Sequence, residues 1–220
     1  MIRILSTKKL KSNQKQFLLN AGMAVIEADF IGIQSKSFTF LNIYDNLIFT
    51  SGNAVAAVSD HPDVQEIRRK PSFCVGEKTA DLLDENGFTV QERANSATEL
   101  AKIVISEYAN ESFTFFSGNQ RLDELPNKLK EAAIIFNEIE VYETIAMPQP
   151  IKATVNGILF FSPSAVESYL LSNEITNETC FCIGNTTAKA LMKTTDKIII
   201  ANQPSVENTI IQTINYYKKA

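Results

Sequence analysis

The sequence predicts an α/β fold built from two similar doubly wound parallel-sheet domains joined by a two-stranded linker. Three observations predict it. Short apolar runs alternate with amphipathic stretches along nearly the whole chain, the pattern of parallel strands joined by helical crossovers. Glycines punctuate that pattern: Gly76 and Gly184 follow apolar runs, and Gly87 follows a helical stretch. The chain also repeats itself. Phe49-Thr50-Ser51-Gly52-Asn53-Ala54-Val55 returns as Phe160-Phe161-Ser162-Pro163-Ser164-Ala165-Val166, and Cys74-Val75-Gly76-Glu77-Lys78-Thr79-Ala80 returns as Cys182-Ile183-Gly184-Asn185-Thr186-Thr187-Ala188. Ser96-Ala97-Thr98-Glu99 is set against Pro204-Ser205-Val206-Glu207 in the same order.

The elements follow in order. Residues 2–5 and 24–31 are short apolar runs and read as strands. A strand over 47–50 ends in Ser51-Gly52-Asn53, a small polar turn that opens a helix. The strand at 72–75 is closed by Gly76, the helix at 78–86 by Gly87, and a strand follows at 89–91. Leu100, Ile103, Val104 and Tyr108 share one helical face over 98–108. A strand at 113–116 leads through Ser117-Gly118-Asn119 to a helix at 122–131 and a long strand at 133–141. Met147-Pro148-Gln149-Pro150 has the composition of a linker. Beyond it lie strands at 157–161, 179–183 and 197–201, with helices at 164–171, 186–193 and 206–217.

Strand counting divides the chain. The stretch 47–141 supplies five strands, enough for one sheet, whereas 157–201 supplies three and needs the two N-terminal strands to complete its own. Residues 1–34 and 147–220 are therefore expected to form one discontinuous domain, with 37–143 inserted and 34–37 and 143–150 as hinges.

Composition narrows the function classes. With 220 residues, 45% hydrophobic and 21% charged, the chain is an ordinary globular protein with a sizeable core. A net charge of -4 provides no general attraction to nucleic acid or an anionic membrane, so an anionic ligand must be held by local donors. The first residues lack a signal-peptide pattern, and the most apolar stretch, 17–33, is broken by Asn20, Glu27 and Asp29, so a cytoplasmic protein without a membrane span is expected. Cys74, Cys180 and Cys182 offer no C-x-x-C pair and read as core residues, leaving no metal site.

Chemistry concentrates in the turns. Thr50-Ser51-Gly52-Asn53, Ser117-Gly118-Asn119, Ser162-Pro163-Ser164 and Gly184-Asn185-Thr186-Thr187 each follow a strand and are expected to open a helix. The first amides of a helix are unpaired and its dipole is positive there, so such turns bind anions without basic side chains. Their plainer reading is as N-caps, and four such turns in one chain favour the ligand reading. Tyr142 follows the long strand and precedes the linker, where its hydroxyl can donate to a ligand or pack at a domain junction. No G-x-G-x-x-G or complete P-loop occurs, and the single histidine, His61 in His61-Pro62-Asp63, fits a surface turn. Asp84-Glu85 and Asp123-Glu124 are expected as solvated carboxylates on polar helix faces.

These same blocks, with Val141-Tyr142-Glu143-Thr144, resemble the uroporphyrinogen-III synthase family, in family order from Leu47 onward. The resemblance implies a cofactor-free enzyme of tetrapyrrole biosynthesis that closes hydroxymethylbilane, a linear tetrapyrrole polycarboxylate, into uroporphyrinogen III with inversion of ring D and loss of water. It implies two α/β domains with the substrate between them, held largely by main-chain amides. Tyr142 then matches the tyrosine that assists hydroxyl departure. Thr187 matches the second threonine of the family's glycine-threonine turn, and Ser51, Ser162, Ser164, Gly184 and Thr186 match its ligand-facing turns; Gly52, Asn53, Ser117, Gly118, Pro163, Asn185 and Lys8 are expected to bind substrate beside them. Asn185 stands where proline is usual, Phe161 where threonine is frequent, and Lys8 near a common arginine position. A monomer, functionally coupled to hydroxymethylbilane synthase, is expected. The competing class is a two-domain binding protein that closes on a small anionic metabolite without chemistry.

Overall fold

The computed structural model describes residues 1–219. They divide into two compact units, one formed by 1–32 with 145–220 and the other by 33–144.

In the first unit the strands are β1 (Arg3–Ser6), β2 (Ala24–Glu27), β9 (Gly157–Phe160), β10 (Thr179–Cys182) and β11 (Ile198–Ile200), in the order β11-β10-β9-β1-β2 and all parallel. The helices are α1 (Ser12–Asn20), α6 (Pro163–Leu170), α7 (Asn185–Lys189) and α8 (Val206–Lys219). Successive strand residues point to opposite faces, and a parallel sheet covered on both sides buries both. Leu5, Ile158, Phe160, Cys180 and Cys182 accordingly join one core, and Ile4, Leu159 and Phe181 the other. Each of these large side chains contributes about 1.5–3 kcal/mol by leaving water.

The second unit holds β3 (Ile31–Ser35), β4 (Asn46–Phe49), β5 (Pro71–Val75), β6 (Thr89–Ala94), β7 (Ser112–Gly118) and β8 (Ile135–Ala146), in the order β3-β8-β7-β4-β5-β6. Helices α2 (Gly52–Ser59), α3 (Glu77–Glu85), α4 (Ala97–Glu107) and α5 (Glu124–Glu131) cover it, with a 3-10 turn at Val64–Glu66. Leu47, Phe49, Cys74 and Phe116 pack on one face and Ile48, Phe73, Phe113 and Phe115 on the other. Strands β4 to β8 are parallel. Only β3 departs: bonds from Lys36 N–H to Val141 O and from Met147 N–H to Phe30 O run in opposite chain senses, so it lies antiparallel to β8.

The internal repeat now has a structural meaning. Setting β4, β5 and β6 on β9, β10 and β11 sets β7 and β8 on β1 and β2, and the strand orders β8-β7-β4-β5-β6 and β2-β1-β9-β10-β11 coincide. One sheet is a circular permutation of the other. The third repeat block shifts by one residue: Ser96 caps α4 at Glu99 N, and its counterpart at α8 is Ser205, which accepts from Asn208 N at 3.1 Å.

Several boundaries differ from those expected. The run 24–31 is two strands, because Ala28 N and Phe30 N bond to Ser6 O and Thr7 O and carry the chain off the first sheet before β3 begins. Residues 34–37 and 143–150 are not wholly coil, since β3 extends to Ser35 and β8 to Ala146. Helix α1 shows no helical period in sequence because its apolar residues Phe17, Leu18 and Leu19 are consecutive, with only Leu18 buried among them. At its start the Gln14 side chain accepts from the Lys11 backbone N–H at 2.9 Å.

Candidate functional site

In open parallel sheets, ligands bind at the carboxyl edge, where strand order reverses. That point lies between β4 and β7 in the second unit and between β9 and β1 in the first.

In the second unit the reversal point carries a pocket of about 430 Å³, within the ordinary range for ligand sites. Thr50, Ser51, Ser117, Gly118, Arg121 and Tyr142 are among its lining residues. Ser51 is the N-cap of α2 and accepts from Asn53 N at 3.2 Å. The Tyr142 hydroxyl donates to the same Ser51 oxygen at 3.2 Å. With that oxygen accepting twice, the Ser51 proton is left to point elsewhere. A β-bulge between Ser117 and Gly118 sets Gly118 opposite Tyr142 on β8. The tyrosine ring lies against the Gly118 backbone so closely that a Cβ there would overlap three ring atoms. Bulges of this kind re-aim side chains beside functional sites.

Beside the tyrosine lies a charged network absent from the sequence-based expectations. Arg121 donates from Nε and Nη2 to the two carboxylate oxygens of Glu138 and from Nη1 to Asp123. Glu138 also accepts from Ser117 Oγ at 2.7 Å. Burial alone would raise the Glu138 carboxyl, but the bonds from Arg121 and Ser117 outweigh it and hold the group below the ordinary carboxylate range. The Arg121 guanidinium is raised further by its Glu138 bond, despite an opposing effect of burial. A lone arginine in a turn, separated from its glutamate by 17 residues, gives no periodic signal in sequence.

Two expectations are corrected here. Ser117-Gly118-Asn119 does not open a helix: Ser117 and Gly118 are the last residues of β7, buried, and α5 starts only at Glu124. Asp123 and Glu124 are not simply solvated, because Asp123 pairs with Arg121 and Glu124 accepts from Thr98 Oγ1.

In the first unit, three turns lie side by side at the carboxyl edges of β1, β9 and β10. Lys8 sits over the Phe161 ring, 5.0 Å from its centroid, at the reversal point. Ser162 is the N-cap of α6, accepting from Ala165 N at 3.1 Å, with Pro163 at the first helical position. Ser51 and Ser162 therefore play the same capping role in the two repeats. Gly184 precedes the five-residue α7 in extended backbone, where Asn185 and Thr186 are exposed while Thr187 is 1% exposed and points inward. A larger hollow of about 630 Å³, lined by Val155, Tyr169, Asn173 and Glu178, lies at the opposite, amino edge of this sheet. Its place argues against a catalytic role.

The model of the uroporphyrinogen-III synthase HemD family matches residues 14–211. The chain belongs to that family. Its fold is that of a uroporphyrinogen-III synthetase from Helicobacter pylori, with a TM-score of 0.77 at 21% identity, covering 98% of this chain and 100% of that one. A mutant uroporphyrinogen III synthase from the extremely thermophilic bacterium Thermus thermophilus superimposes with a TM-score of 0.69 at 15% identity, over 100% of both chains. No curated protein sequence gives a significant match. Family membership makes the chain an enzyme of tetrapyrrole synthesis acting on a small molecule. Among the described residues, no helix is long and apolar enough to cross a membrane.

Proposed function

We propose that this chain catalyses the closure of hydroxymethylbilane to uroporphyrinogen III, as a cytoplasmic, monomeric lyase working downstream of hydroxymethylbilane synthase. The observation that carries the reading is the family match over 14–211, which includes both repeats and Tyr142. The site chemistry supports it. Closure begins when the C–O bond to the terminal hydroxyl breaks with electrons from the adjacent pyrrole nitrogen; the pyrrole N–H gives up its proton as the departing oxygen gains one, leaving an azafulvene and water. The Tyr142 hydroxyl, now donating to Ser51, is placed to transfer its hydrogen bond to the departing oxygen, which leaves as water. Ring D then attacks the azafulvene carbon through its substituted α-carbon; the bond from that carbon to its original methylene bridge breaks, giving a second azafulvene on ring C, and the free α-carbon of ring D attacks that bridge and loses its proton, which inverts the ring. The remaining work is holding a flexible substrate in one conformation.

Carboxylate binding follows from the turns. The amides at Gly52, Ser162, Ser164 and Gly184–Thr186 supply donors on a chain of charge -4, with Lys8 as a nearby cation. The test is a coupled assay in which hydroxymethylbilane synthase supplies the substrate and the porphyrin isomers are separated after oxidation. Isomer III that depends on this protein supports the proposal, and isomer I alone from folded protein makes it a non-catalytic binder.

A further inference from the structure

The Arg121 network is asymmetric in a way that suggests a use. Glu138 takes the Nε/Nη2 edge of the guanidinium, with the Nη2 bond at 2.9 Å, and is itself tied to Ser117. Arg121 N–H bonds to Gly118 O at 3.2 Å, so the backbone of the turn is fixed as well. The inner edge of Arg121 is thus built into β7 and β8. Its Nη1 end is held differently, by Asp123, whose side chain is 75% exposed against 24% for Arg121. Asp123 occupies the N-cap position of α5 yet makes no capping bond. Its carboxylate sits on the arginine instead of on the helix.

Resting on the function proposed above, we infer that Asp123 is an internal stand-in for a substrate carboxylate and that Arg121 is a carboxylate-binding residue. An incoming acetate or propionate group takes the Nη1 end, and Asp123 swings out into solvent. The exchange is inexpensive, because an ion pair to so exposed a carboxylate is worth little. Arg121 and Tyr142 line the same pocket, so the anchored carboxylate belongs to a ring lying near the tyrosine hydroxyl. A guanidinium whose inner edge is locked by Glu138 offers fixed geometry that a lysine lacks.

Steady-state kinetics of isomer III formation tests the inference through opposite signs. Arg121→Met removes the anchor and is expected to raise KM about 10-fold or more with kcat changed far less. Asp123→Asn removes the competitor, keeps a good N-cap residue, and is expected to lower KM by about 2- to 5-fold. A purely structural pair would shift both variants the same way. Arg121→Lys should fall between wild type and Arg121→Met. If Arg121→Met does not fold, Asp123→Asn decides alone, since its residue is exposed. A KM unchanged or raised in Asp123→Asn overturns the inference while leaving the wild-type activity standing; a wild type that forms no isomer III overturns both.

Discussion

The Tyr142 hydroxyl donates to the Ser51 oxygen at 3.2 Å across 91 residues of sequence, linking the only strand that carries a tyrosine in this pocket to the capped start of α2. Two elements brought together by the parallel order of β4, β7 and β8 thereby share one proton donor.

Tyr142→Phe should therefore lower kcat for isomer III by about 100-fold, the usual scale for losing a positioned acid. Its thermal midpoint should fall by no more than a few degrees, because one part-buried hydroxyl bond is worth about 1 kcal/mol or less. Ser51→Ala removes the acceptor of both the Asn53 amide and the Tyr142 hydroxyl, so it should show the reverse balance, losing about 1–2 kcal/mol of stability and less activity. Parallel thermal melts and kinetics of the two variants check this.

Gly118→Ala inserts a methyl group where the Tyr142 ring lies. The expected cost is about 1–3 kcal/mol of stability through overpacking, together with a fall in kcat as the ring is displaced. In the Tyr142→Phe background the same change should cost much less activity, and a double-mutant cycle measures that coupling.

Acid should weaken the β7–β8 edge. Glu138 has a folded-state pKa below its unfolded one, so its contribution is fully present above the ordinary carboxylate range and is lost as pH falls through that range toward the folded value. Urea midpoints of wild type and Glu138→Gln should differ most near pH 7 and converge toward pH 3. A constant difference would mean that ionisation of Glu138 does not matter.

The thiols should be silent. Burial pushes Cys74 up to about 11 and Cys180 and Cys182 up to about 12, so all three stay protonated at pH 8. A chromogenic disulfide reagent should find no fast thiol in the native protein and three after unfolding in denaturant.

Much of the fold was legible because strands buried on both faces read as unbroken apolar runs, and Leu47-Ile48-Phe49 and Ile158-Leu159-Phe160 are of that kind. The same feature concealed the break at Ala28–Phe30, where the bend carries apolar residues and no glycine or proline. In the site, Ser51 and Ser162 were legible as strand-to-helix turns, since capping is a local property. Gly118 and Tyr142 were visible singly, but their stacking depends on a bulge in strand pairing. The Arg121–Glu138–Ser117 network lay beyond reach, because its members sit on different elements and obey no period.

The most direct measurement of the central claim is the isomer composition of uroporphyrin formed from enzymatically generated hydroxymethylbilane, with and without this protein. Predominantly isomer III in its presence, reduced in Tyr142→Phe, is the predicted result. Isomer I alone from protein shown to be folded would contradict it.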